Sequence, residues 1–181
     1  GGIHVAVSHG GLNNLTATIT GNIVSNGGGQ GISIQNSSGV GFFTVTNNTL
    51  QNNAGAGLYI TDSNTSAAIS STYSVSNNTF SGNTGGGIDV SMEKCIGPSQ
   101  QLTITGNIIF NNPGPGITFE SACEYSYDPI TSVHSLTVSD NDIIQNGTSS
   151  NPEGAALHLD SVGPMTVTGN RIHDNGSASA K

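Results

Sequence analysis

The stretch LTITGNIIFNNPGPGITF, residues 102–119, decides how the chain folds. Leu102-Thr103-Ile104-Thr105 alternates apolar and polar residues, the period of a strand with one buried face. Gly106-Asn107 then turns the chain, Ile109 follows two residues after the asparagine, and Asn112 marks a second turn. Gly116-Ile117-Thr118-Phe119 closes the unit on another short alternating run. Glycine and asparagine accept the left-handed backbone that sharp corners need.

The unit recurs along the chain as FTVTNNTLQNNAGAGLYI (43–60), YSVSNNTFSGNTGGGIDV (73–90) and, with an insertion, LTVSDNDIIQNGTSSNPEGAALHL (136–159). A tighter version is TITGNIVSNGGGQGISI (18–34), and MTVTGNRIHDNG (165–176) is a half-unit matched by Gly2-Ile3-His4-Val5 at the start. The anchoring asparagines are Asn22, Asn48, Asn78, Asn107, Asn141 and Asn170, spaced by 26, 30, 29, 34 and 29 residues. A second asparagine follows each four or five residues later: Asn26, Asn53, Asn83, Asn112, Asn146 and Asn175. Leucines are few and no helix signal exists, which argues against a leucine-rich repeat. A unit this short cannot bury an apolar face alone and must stack on its neighbours.

The pattern of apolar residue, Thr, apolar residue, Ser or Thr, any residue, Asn resembles the repeats of right-handed parallel β-helix proteins, the pectin-lyase-like superfamily. The resemblance covers residues 1–176 and leaves 177–181 as a short polar tail. It implies an all-β, single-stranded, right-handed parallel β-helix of about six rungs with three short strands per rung. Six rungs at about 4.8 Å span an axis of roughly 29 Å. Ile19, Ile34, Val45, Ile60, Val75, Val90, Ile104, Phe119, Val138, Leu159 and Val167 are expected to form stacked apolar columns. The asparagine series Asn22 to Asn170 reads as scaffold, with amides hydrogen-bonded along the axis as in cross-β ladders.

Only 33% of the 181 residues are hydrophobic, a composition that a core of narrow tubular shape tolerates. The net charge is −8, and Lys94, Arg171 and Lys181 are the only Lys or Arg residues. That excludes a positive stripe for nucleic acid and attraction to an anionic membrane surface. No segment has the length of a transmembrane helix, and no signal peptide is visible. The repeat begins and ends without an obvious cap, so caps elsewhere in a longer chain, or neighbouring copies, are expected to cover the end rungs.

Cys95 and Cys123 follow equivalent strands in adjacent rungs. Stacking brings equivalent Cα atoms near 5 Å, inside the disulfide window, so a Cys95–Cys123 disulfide and an extracytoplasmic location are expected. Seven sequons, at Asn14, Asn36, Asn47, Asn64, Asn77, Asn146 and Asn175, several of them at expected outward corners, offer N-glycosylation in a glycosylating host. The asparagine- and threonine-rich repeat also generates such triplets by chance.

Loops of variable length follow the Gly-[Ile/Leu] strands, and variable loops over a rigid scaffold commonly carry function. The outward residues of these strands form one column, His4, Ser33, Tyr59, Asp89, Thr118 and His158, and a second, Gln35, Thr61, Ser91, Glu120 and Asp160. Such a face suits a glycan, with a merely solvated β-face as the competing reading. Tyr59, Asp89, Glu93, Glu120, Glu124 and Asp128 are the candidate glycan or Ca²⁺ contacts; the competing reading is a set of solubilising surface acids. No calcium-loop motif is present, and the scattered histidines lack metal-ligand spacing. No catalytic residue is assigned: the Arg or Lys base of β-helix lyases and the paired aspartates of galacturonidases are not found. No cofactor is required, with Ca²⁺ the one candidate. Two functional classes follow. The first is a secreted or surface-exposed structural or adhesive module that self-associates end to end into a fibre. The second is a polysaccharide lyase, hydrolase or glycan-binding domain, which rests on fold analogy.

Overall fold

The structure, a computed structural model, describes residues 1–7, 14–37, 39–63, 70–92, 100–121, 134–147, 155–160 and 163–176. These residues form eighteen strands in three parallel sheets, numbered in chain order. The first sheet holds β1 (Ile3–Val7), β4 (Ile32–Asn36), β7 (Leu58–Asp62), β10 (Ile88–Met92), β13 (Ile117–Ser121) and β16 (Leu157–Asp160). The second holds β2 (Asn14–Thr20), β5 (Val40–Thr46), β8 (Thr72–Ser76), β11 (Gln101–Thr105), β14 (Ser135–Ser139) and β17 (Met165–Thr168). The third holds β3 (Ile23–Ser25), β6 (Thr49–Gln51), β9 (Thr79–Ser81), β12 (Ile108–Phe110), β15 (Asp142–Ile144) and β18 (Arg171–His173). Successive strands belong to successive sheets, which makes the chain a parallel β-solenoid. No described helix is long and apolar enough to cross a membrane.

The solenoid closes about four full turns, fewer than the six rungs expected from the repeat. The physical reason lies at the ends. Each sheet has six strands, but only its four inner strands have a neighbour on both sides. In the last rung Met165, Val167 and Ile172 remain 44–47% exposed.

Register explains the core. Ile19, Val45, Val75, Ile104, Val138 and Val167 stand in one column. Val5, Ile34, Ile60, Val90, Phe119 and Leu159 stand in another. The third sheet contributes Val24, Leu50, Phe80, Ile109, Ile143 and Ile172. The tube is deeper than one inward residue per strand, because each long strand of the first sheet points two apolar residues inward, as Ile32 and Ile34 do in β4. Phe43 and Tyr73 stack inside it with centroids 5.0 Å apart.

Two corners per rung set the turn geometry. The residue before each anchoring asparagine has a left-handed φ: Gly21, Asn47, Asn77, Gly106, Asp140 and Gly169. So does a second series, Asn26, Asn52, Gly82, Asn111, Gln145 and Asp174. Asn26 is therefore a corner residue and not a ladder member; Gly27 stands at the ladder position, its N–H donating to Asn53 Oδ1 at 3.0 Å. The spacing of four rather than five residues after Asn22 is the cause.

A glycine column brings the rungs into close approach at the entry to the first sheet. A Cβ on Gly87 would lie 2.6 Å from Gly116 O, and one on Gly57 2.9 Å from Gly87 O. These carbonyls accept the N–H groups that start the strands, as in Ile88 N to Gly116 O at 3.0 Å.

Candidate functional site

The asparagine series is interior and continuous. Nδ2 of Asn22, Asn48, Asn78, Asn107 and Asn141 donates to Oδ1 of the next asparagine at 2.9–3.0 Å, ending on Asn170. A second series, Asn53, Asn83, Asn112, Asn146 and Asn175, is built alike. These side chains are spent on scaffold and offer nothing to a ligand. Burial sets two of the sequons apart from the rest. Asn146 is fully buried in the second ladder, and Asn36 is buried inside the tube. Asn14, Asn47 and Asn77 are exposed, and Asn175 is half-buried with its amide donating to Ile143 O and His173 O.

Asn36 belongs to a buried polar cluster at the corner between the first and second sheets. Tyr73 Oη donates to Asp62 Oδ2 at 2.6 Å. Asn36 Nδ2 donates to Asp62 Oδ2 at 3.3 Å, to Ser71 Oγ at 2.9 Å and to Gly39 O at 3.0 Å. Burial, then the Asp62 carboxylate, pushes the Tyr73 hydroxyl far above the ordinary tyrosine range. Sequence reasoning missed this cluster. One further step of the alternation Leu58, Ile60, Asp62, or Ile32, Ile34, Asn36, marks both polar residues as inward.

The outward face of the first sheet carries two columns of mostly polar side chains. Register aligns His4, Ser33, Tyr59, Asp89, Thr118 and His158 across six strands. Beside them run Ala6, Gln35, Thr61, Ser91, Glu120 and Asp160. Tyr59 and Asp89 are half-buried neighbours, while Glu120 and Asp160 are exposed. Burial, and then the Glu120 charge, raises the Asp89 carboxyl above its ordinary range. At the β1–β4–β7 end the second column borders a groove of about 270 Å³. Ala6 and Val7 wall it, the buried Asn36 underlies it, and Gln35, Ser37, Thr61 and Ser63 rim it.

The structure thus brings Tyr59, Asp89 and Glu120 onto one face. Glu93, Glu124, Asp128, Cys95, Cys123 and the sequon at Asn64 lie outside the described residues. Among the described residues Arg171 is the one Arg or Lys; it sits on the third sheet, paired with Asp142 through Nε at 3.0 Å and through Nη2. The first-sheet face therefore carries no described Lys or Arg.

Comparison with curated proteins and comparison with solved structures give no match. The family model described as NosD, periplasmic copper-binding protein, matches residues 13–180. The described residues do not fit a copper centre. No three His, Cys, Asp or Glu side chains among them converge, and His4 and His158 stand five rungs apart, about 24 Å along the axis. The NosD family is a parallel β-helix family of the periplasm, in agreement with the solenoid and with a location outside the cytoplasm. With nearly its whole length matched, the chain belongs to the NosD family.

Proposed function

We propose that the chain is an adhesive β-solenoid module that holds an extended polysaccharide along the outward face of its first sheet. One observation carries this reading: Tyr59 stands in register between Ser33 and Asp89, with Thr118 next, in a flat column of hydrogen-bonding side chains around one aromatic ring. Rungs repeat at about 4.8 Å, close to the length of one extended pyranose unit, so successive sugars meet successive strands. Tyrosine supplies an apolar ring face with a polar tip, suited to a sugar ring. Co-sedimentation with insoluble cellulose, xylan and chitin tests the reading. Wild-type protein should pellet with at least one of them and Tyr59→Ala should remain largely in the supernatant; equal pelleting of both proteins would count against it.

Head-to-tail stacking is a second reading, favoured by the open apolar column ends at Met165, Val167 and Ile172. Further rungs, of this chain or of another copy, would cover them. Sedimentation velocity across a concentration series separates a stacking protein from a monomer. Copper is the ligand that the family's description carries. The soft donors it favours are Cys95 and Cys123, as thiols and not as the expected disulfide. A Cu(I) titration of reduced protein, set against a Cys95→Ser, Cys123→Ser variant, tests that reading.

A further inference from the structure

We propose that the groove at the β1–β4–β7 end is the subsite for an uncharged pyranose at one end of the bound chain. This deepens the glycan reading above and rests on it.

Hydrogen-bonding capacity around the groove is unevenly used. The Asn36 amide is committed: its Nδ2 donates to Gly39, Asp62 and Ser71, and its Oδ1 accepts from Gly39 N at 3.3 Å. Ser37 Oγ donates to Val7 O at 3.0 Å, leaving it as an acceptor only. Gln35, Thr61 and Ser63 make no side-chain hydrogen bond among the described residues and rim the same groove. One amide and two hydroxyls can each donate and accept, which matches sugar hydroxyls, themselves donors and acceptors. The volume, about 270 Å³, falls just under the roughly 300 Å³ at which clefts for drug-sized ligands begin, room for a single ring. Thr61 lies two residues from Tyr59 on the same strand and so on the same face. A ring in the groove therefore adjoins one stacked on Tyr59.

Charge then selects among sugars. Among the described residues no charged side chain lines the groove. Along the same two columns stand Asp89, Glu120 and Asp160, with no described Lys or Arg facing them. A uronate carboxylate seated here would be desolvated without a cation and repelled along the face. The subsite therefore favours neutral rings over polyuronates.

Calorimetric titration of the whole chain with cellohexaose and with hexagalacturonate, at neutral pH and low salt, tests this. Cellohexaose should bind, and hexagalacturonate should bind at least about tenfold more weakly, a difference near 1.4 kcal/mol. Thr61→Trp, which fills the groove, should weaken cellohexaose by a similar factor. Gln35→Ala, on the exposed rim, repeats the test with a smaller change should the tryptophan variant melt early. Gln35→Lys should raise hexagalacturonate affinity. Equal wild-type affinity for both hexamers, or unchanged cellohexaose affinity in Thr61→Trp and Gln35→Ala alike, overturns the subsite while the face reading stands. Loss of cellohexaose binding in Tyr59→Ala but in neither groove variant does the same. Binding of neither hexamer by wild-type protein overturns the subsite, and the face reading falls with it when cellulose, xylan and chitin also fail to pellet the protein.

Discussion

Asn107 Nδ2 donates to Asn141 Oδ1 at 2.9 Å, and Asn107 Oδ1 accepts from Asn78 Nδ2 at 3.0 Å. Each amide inside the tube is thus donor to one rung and acceptor from the other. The same Oδ1 also takes the backbone N–H of Asn78 at 2.9 Å, so one side chain satisfies groups on two neighbouring rungs. Removing it strands buried donors and acceptors at once.

Asn107→Ala should therefore lower unfolding free energy by about 1–3 kcal/mol, the range for leaving buried polar groups unpaired. Thr103→Ala, at an exposed outward position, should change it by less than about 0.5 kcal/mol. Urea unfolding followed by circular dichroism checks both, with a smaller loss for Asn107→Ala than for Thr103→Ala as the opposite outcome.

Alkali acts on Tyr73. Its hydroxyl is held protonated well above the tyrosine range by burial and by Asp62. The unfolded chain releases that proton near pH 10 while the folded chain keeps it, so stability falls as pH climbs past about 10. Tyr73→Phe should be less stable than wild type at pH 7 by about 1–3 kcal/mol, since Asp62 loses a donor. It should also show a shallower alkaline decline. Melting temperatures from pH 7 to 11 for the two proteins give both comparisons.

Asp89 behaves in the opposite sense to an ion-paired carboxylate. Burial raises its folded value, with Glu120 adding to the shift, so its charged form disfavours the folded state near neutrality. The disadvantage fades as pH falls through the raised value and is gone below the unfolded value of about 3.9. Asp89→Asn should melt higher than wild type at pH 7 and alongside it near pH 3. A lower melting temperature for the variant at pH 7 would point to a cation paired with Asp89.

Gly87→Ala places a methyl 2.6 Å from Gly116 O and 2.5 Å from Ile109 Cγ2. A backbone carbonyl engaged in the rung-to-rung bond cannot swing aside. The substitution should cost about 2 kcal/mol or more. Gly28→Ala, where nothing lies within 4 Å, should be nearly neutral, and thermal melts of the pair decide it.

The solenoid was legible because its information is local. Each strand's alternation and each left-handed corner is written within a few residues, as in Thr103-Ile104-Thr105-Gly106-Asn107. Less legible was anything that depends on which rung a residue joins. Asn26 matches the asparagine pattern yet sits at the corner, because one residue fewer separates it from Asn22. Asn36 reads as a surface sequon but closes on Asp62, Ser71 and Tyr73, the last of these 37 positions away. The outward columns could be written down from the repeat. The groove between Gln35 and Thr61 could not, because it depends on how Ala6 and Ser37 stand around them.

Under the proposed function, ligand meets the outward face of the first sheet. Amide chemical-shift mapping of the isotope-labelled chain, titrated with whichever polysaccharide fragment co-sedimentation selects, tests it most directly. Perturbations should concentrate at Ser33, Gln35, Tyr59, Thr61, Asp89 and Thr118, and spare Thr49, Thr79 and Asp142 on the third sheet. Perturbations centred on the third sheet, or none at saturating fragment, would contradict it.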